Sequence, residues 1–429
     1  MPRKKRLATI TMILSIIILY VQQMSPSPLL GYIGNKYLIY QNDALLNLSV
    51  SIIFPSIIAA SLFGSIIEQK IGTKALFSLA MIFAASGFAI NFTAESYIIF
   101  LVGRLLFGGG FGFCIPFFGS AIMNWYTGRQ RYFMNTVNGL FPFIGAVMGF
   151  GLMTPLYGLL NSSLRFVFGI WAIPLLIIVF VWESLFEKKK GFLPPDGLVA
   201  RKAVGEKGLY RNLLKRKDIR MLCFAFICDF LCYSYVAIIL PTYLHELGGI
   251  SASLAGLLAA FFFPGIGIFG AVIGGILISK TGLRKPTLAV GQLLKLIGGV
   301  LAALGGAISL GMVMCGVALF GVGNALWMPS MYTVPTELDN MNSTRVAAAF
   351  SLISSFGFFV GFVGPIVGGW LTNQLMLFSG ISDPVLNHVF GLRWSLFIFS
   401  LVNIIALVCV LRMSETGEKK TKCEQVTTS

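Results

Sequence analysis

Twelve stretches of this chain are each long and apolar enough to cross a hydrocarbon core, and they fall as six, a gap, and six more. A helical span needs about 20 mostly apolar residues. Runs that meet this lie at 7–30, 44–67, 75–93, 97–124, 133–160 and 165–185. After a polar stretch come 220–243, 252–278, 286–308, 310–336, 346–378 and 390–412. Only 11% of the 429 residues are charged and 56% are hydrophobic, whereas soluble domains carry roughly 25% charged residues. The expectation is an all-α integral membrane protein of twelve transmembrane helices. The first run follows MPRKKR and is too long for a signal peptide, so it reads as a retained span.

A net charge of +16 raises the question of a nucleic-acid partner, which the distribution of the charge answers. With the N-terminus on the inner side, inner segments hold 27 of the 32 Lys and Arg and outer loops only Lys36, Arg165 and Arg393. That asymmetry is the positive-inside signature. It predicts cytoplasmic N- and C-termini in the cell membrane and contact with anionic membrane lipids, with no nucleic acid. No cysteine falls in an outer loop, so no disulfide framework is expected.

The gap, residues 187–219, carries Pro194, Pro195 and a run of basic residues, and reads as a linker. Its end, with Leu209, Leu213 and Leu214 among bases, is either a short helix on the membrane surface or plain solvated chain. The two sides of this gap repeat one another. FGSIIEQKIGTK at 63–74 returns as IGGILISKTGLRK at 273–285, matching Gly72 to Gly282, Lys70 to Lys280 and Lys74 to Arg284. LFGGGFGFCIP at 106–116 returns as LFGVGNALWMP at 319–329, matching Gly108 to Gly321 and Gly110 to Gly323. The chain therefore divides into an N-terminal six-helix bundle (1–186), the linker, a C-terminal six-helix bundle (220–413) and a tail (414–429), with the two bundles related by pseudo-symmetry. Parallel repeats of this kind are one transporter plan, with the substrate site at the midplane between the halves.

On these residues the chain resembles the major facilitator superfamily of secondary transporters. That family carries a G-x-x-x-D-R-x-G-R-K pattern between spans two and three, repeated between spans eight and nine. Here both copies are degenerate: Ser65, Gln69 and Lys70 stand in the first, and Gly275, Ser279, Lys280 and Arg284 in the second. The resemblance implies gating loops that use Gly72, Lys74, Lys280, Gly282 and Arg284, with bases reaching partners in the other half. A topogenic role for the charges alone is the simpler reading. Gly72 and Gly282 suit tight turns in either case.

In the family, spans one, four, seven and ten line the central cavity, and each carries a polar or aromatic candidate here. Arg104 with Gly108, Gly110 and Gly112 resembles the family's span-four pattern, which implies anion binding or proton coupling. The alternative is an arginine satisfied by carbonyls. An arginine mid-span costs about 2.5–3.5 kcal/mol on insertion scales and needs a partner or a wet cavity. Asp229 lies near the midplane of span seven, either as a titrating group or in a permanent ion pair, with Tyr233 one turn on. Tyr20, Gln22 and Gln23 make a polar patch in span one; Asn324, Trp327 and Met331 share a face of span ten. Lys295, in the middle of span nine, fits no part of this scheme.

His245 and His388 are the only histidines, both expected in outer loops; no metal-ligand cluster, cofactor motif or phosphate loop occurs. An enzyme or an ATP-driven pump is therefore not expected. The expected function is secondary active transport of a small solute, an organic or inorganic anion, by a monomer that alternates access and is driven by a proton or substrate gradient. The rivals are a proton-coupled multidrug exporter and a membrane sensor or scaffold. The exporter pattern G-x-x-x-G-P-x-x-G-G is missing from span five, which reads GLFPFIGAVMGFG.

Overall fold

The computed structural model describes residues 3–126, 128–185, 209–341 and 343–417, and no strand occurs among them. Most of the linker and the end of the tail thus lie outside the described residues. Twelve helical spans are present among the described residues: Lys5–Tyr37, Asp43–Glu68, Lys70–Thr93, Tyr97–Ile115, Leu140–Leu159 and Leu164–Leu185, then Lys217–Gly248, Ala252–Thr281, Lys285–Gly305, Leu310–Glu337, Ala348–Phe378 and Pro384–Arg412. Side chains such as Ile98, Phe180, Phe269 and Phe359 project outward. On the surface of a helix that buries its own backbone polar groups, they make the belt that meets lipid tails.

The sequence repeat is also a packing repeat. A Cβ on Gly108 would run into the carbonyl of Ile53 in span two, and a Cβ on Gly321 into that of Phe263 in span eight. Likewise Gly110 sits against the backbone of Ala80 and Ala84 in span three, and Gly323 against Gly291 and Lys295 in span nine. Small residues let backbones approach where hydrophobic burial offers no driving force between helices. The same glycines thus set the same helix contacts in each six-helix half. By this correspondence Lys295 occupies the place that Ala84 holds in the first half.

The repeated turns share a glycine with positive φ but differ in the rest of the backbone, with ψ 159° at Gly72 and −5° at Gly282. Gly72 takes φ +84° at the kink between spans two and three, and Gly282 takes φ +73° as the left-handed cap of span eight. The bases beside them find acids in their own halves, which differs from the expected reach across. Lys74 pairs with Glu183 of span six at 2.6 Å, and Arg284 with Glu337 of span ten at 2.6 Å. Lys280 is exposed. The tail joins the second brace: Glu415 accepts from the backbone N–H groups of Arg284 and Lys285 at 2.8 and 3.1 Å, and Thr416 donates to Glu337. The end of the linker is a short helix, Leu209–Lys215, which buries Leu213 and packs on spans seven and eleven.

At the face opposite the termini the two halves are fastened together. Ser27 Oγ contacts the carbonyls of Ala237 and Ile238, and Asn47 Nδ2 donates to the carbonyl of Pro365 at 2.8 Å. His388, expected in a loop, lies instead in the first turns of span twelve. Its Nδ1 is 2.6 Å from Glu246 of its own half, and its Nε2 is 3.2 Å from Asp43 of the other. Removing only the cross-half contact should loosen this end. In a background without the native cysteines, maleimide labelling of Ile239→Cys in the adjoining pocket should accelerate about fivefold in Asp43→Asn, the effect of ~1 kcal/mol. It should change much less in Glu246→Gln; equal rates in the two variants would exclude a cross-half latch.

Candidate functional site

Between the halves, on the terminal side of these contacts, lies a cavity of about 700 Å³. Spans one, five, seven, eight, ten and eleven all contribute to its wall. Local breaks open it: Pro142 sits within span five, a π-helical turn at Phe261–Gly265 carries Pro264 in span eight, and span ten is interrupted at Trp327. Such interruptions bring irregular backbone to a lined cavity, the place where membrane helices tolerate it.

The wall is aromatic with isolated polar groups. Tyr20, Phe143, Phe226, Phe230, Tyr233, Phe263, Tyr332, Phe350 and Phe358 supply the rings; Gln23, Asn324 and Ser354 supply an amide pair and a hydroxyl. Among the described residues, no carboxylate or cationic side chain lines the cavity. Of the candidates read from the sequence, the cavity therefore gathers Tyr20, Gln23, Tyr233 and Asn324. Arg104, Asp229 and Trp327 stand behind it. Trp327 is fully buried against Phe226, and its Cβ packs beside Gly291, where a side chain would run into it.

Arg104 shows why it is absent from the wall. Its guanidinium donates to the carbonyls of Gln22 at 2.8 Å, Gln23 at 3.2 Å and Ser49 at 3.2 Å, and lies over the Phe107 ring. The first helix ends at Met24, ahead of Pro26 and Pro28. A proline has no N–H to return to the carbonyl four residues back, and the last carbonyls of any helix lack intrahelical donors. Arg104 satisfies that end and meets the negative pole of the helix. It is fully buried, and every partner is a neutral carbonyl. The expectation that Arg104 faces the cavity is thus corrected: it holds the backbone of Gln23, whose side chain does.

Lys295, unexplained by sequence, is the partner of Asp229. Its Nζ lies 2.6 Å from Asp229 Oδ1 and 3.1 Å from Asn324 Oδ1, with Gln292 Nε2 donating to the same carboxylate oxygen at 2.9 Å. Neither charged side chain is more than 1% exposed. Asp229 Oδ2 and Gln292 Oε1 are buried without a hydrogen-bond partner. Periodicity alone does not couple these residues, because spans seven, nine and ten meet only after folding. A lone cation mid-span beside a lone mid-span acid is the signal the sequence offers.

Comparisons with known proteins agree with this architecture. The family model described as Major Facilitator Superfamily matches residues 12–361 and again 222–425. The hexuronate transporter of Bacillus subtilis (strain 168) is 24% identical over 342 residues, 74% of this chain and 76% of that one. The probable anion transporter 3, chloroplastic, of Arabidopsis thaliana is 34% identical over 148 residues, 34% of this chain and 27% of that one. A solved bacterial homolog of the human lysosomal transporter Spinster, inward-facing and unoccupied, superposes with a TM-score of 0.79 at 17% identity, covering 96% of this chain and 97% of that one.

The ion pair makes a stability prediction. Lys295→Met alone leaves a buried carboxylate unpaired and should cost about 3–5 kcal/mol, whereas Lys295→Met with Asp229→Asn should recover most of it. Thermal unfolding of the purified variants in detergent decides, and equal losses in single and double variants would contradict the pairing.

Proposed function

Because this chain belongs to the Major Facilitator Superfamily, and so is a multi-pass secondary transporter, we infer that its cargo is a small organic anion carried through the central cavity by alternating access. The observation that carries the reading is the pattern of charge around that cavity. Asp229 and Lys295 neutralise each other behind its wall. Arg104 is met by carbonyls rather than a carboxylate, and no acidic side chain lines the space among the described residues. Carbonyl dipoles offset part of the guanidinium's charge but do not cancel it, and in a low-dielectric surrounding this leaves a positive potential near Gln23. The rings and amides around it suit a cargo with a compact organic body and oxygen acceptors. The names of the hexuronate and anion transporters matched above point the same way.

The transport cycle consists of tilting one half against the other. The contacts from Asp43, Asn47 and Ser27 to the second half seal the far end, and the cavity lies on the terminal side of that seal. On the charge asymmetry, the terminal side is the cytoplasm and the membrane is that of the cell. The bundles 1–186 and 220–413 are the moving units, with 187–219 as their link. The turns at Gly72 and Gly282 and their braces, Lys74–Glu183 and Arg284–Glu337, are the gating loops, each stiffening its own half. Proton coupling would use Asp229, whose unpartnered Oδ2 is the atom available to a proton.

Purified protein in liposomes tests both parts. Labelled D-glucuronate should exchange saturably, and D-glucose, which has an alcohol in place of the carboxylate, should compete about tenfold more weakly, the difference between charged and neutral hydrogen bonding. Equal competition by glucose would remove the anionic cargo. An inward proton gradient should drive accumulation, and the Asp229→Asn/Lys295→Met protein should exchange without accumulating; accumulation in that variant would remove Asp229 from the coupling.

A further inference from the structure

We propose that Lys295 is a positioning residue for the cargo site: anchored by Asp229, it locks the amide of Asn324 so that position 324 presents only a hydrogen-bond donor to the cavity. The proposal rests on the transporter reading for the cargo, but its geometry stands apart from it.

The arrangement begins with backbone approach. Gly323 lets span ten lie directly on the backbone of Gly291 and Lys295 in span nine, which brings the next residue, Asn324, within reach of the lysine. A lysine ammonium has three donors and no acceptor. The Asn324 atom 3.1 Å from Nζ must therefore be the amide oxygen, since the hydrogen-bond network decides which end of an amide points where. Nζ is held in turn by Asp229 Oδ1 at 2.6 Å and by the Asp229 carbonyl at 3.2 Å, and it sits 5.0 Å from the Phe320 ring centroid. With its oxygen engaged, Asn324 has only its NH₂ left. That group has no protein acceptor among the described residues, and Asn324 lines the cavity.

An unassisted asparagine can turn either end to a ligand and therefore reads donors and acceptors alike. Locked by Lys295, it reads acceptors alone, and a cargo that offers a donor there leaves two donors opposed. Discrimination of this kind is strong because the mismatch strands buried polar groups. The ion pair thus specifies chemistry in the cavity without touching the cargo. A carboxylate or hydroxyl oxygen is the partner this donor takes.

Moving the carboxylate tests the contact and the donor in one protein. Asp229→Asn alone leaves Lys295 buried and unpaired, and its unfolding temperature should fall. Asp229→Asn/Asn324→Asp places the acid on the other oxygen that faces Nζ, and should recover most of the loss. No recovery would overturn the positioning, and this measurement needs no cargo. The recovered variant has an acceptor where the donor stood. Its KM for D-glucuronate exchange should rise at least about tenfold while the maximal rate stays within about threefold of wild type. A KM unchanged from wild type, with glucose discriminated as before, would overturn the donor role. Should the wild type fail to exchange D-glucuronate, the anionic cargo falls, while the stability comparison still judges the lock on Asn324.

Discussion

A carboxylate and an ammonium 2.6 Å apart, both cut off from water and lipid, tie spans seven and nine together and reach span ten through Asn324. In hydrocarbon neither charge survives alone, so the position of each helix is constrained by the need to keep the other in place. The first half meets the same demand differently. There the lone cation, Arg104, is answered by backbone carbonyls at the end of the first helix, among them that of Gln22, which Pro26 cannot serve, and by the carbonyl of Ser49. In both halves a charge costly to bury is satisfied by helices that must therefore stay together, and in both the satisfied group stands directly behind a polar residue of the cavity wall.

The two halves share their glycines and differ in their charges. Gly108 and Gly321, or Gly110 and Gly323, make equivalent contacts at equivalent places. Lys295 replaces what is Ala84 in the first half, and Arg104 has the apolar Val317 at its corresponding place. Packing is thus repeated and chemistry is not. A pair of similar bundles encloses a common space, while the unrepeated side chains make its two sides chemically unlike. The aromatic wall, interrupted by single amides and hydroxyls, suits this division: rings exclude water broadly, and a few fixed polar groups decide what fits.

The ends of the molecule are built unequally. Away from the termini, His388, Asn47 and Ser27 connect the halves directly. On the terminal side, the repeated glycine turns are braced by acids of their own half, and the tail residues Glu415 and Thr416 add to the second brace. Rigid halves joined at one end are what a rocking motion requires, since each half must move as a body if closing one side is to open the other.

From the order of residues alone come the twelve spans, the duplication and the turns at Gly72 and Gly282, because each depends on local composition and on spacing along one helix. Tyr20, Gln23, Tyr233 and Asn324 are readable as polar interruptions in apolar runs. The partners are not. By sequence Lys295 is an anomaly, Arg104 a cavity residue and His388 part of a loop, since a side chain's destination depends on other helices, from tens to hundreds of residues away. Sequence determined that these charges had to be satisfied within the membrane; only the packing of the helices decided by what, because that depends on contacts between segments whose separation in the chain says nothing of their distance in space.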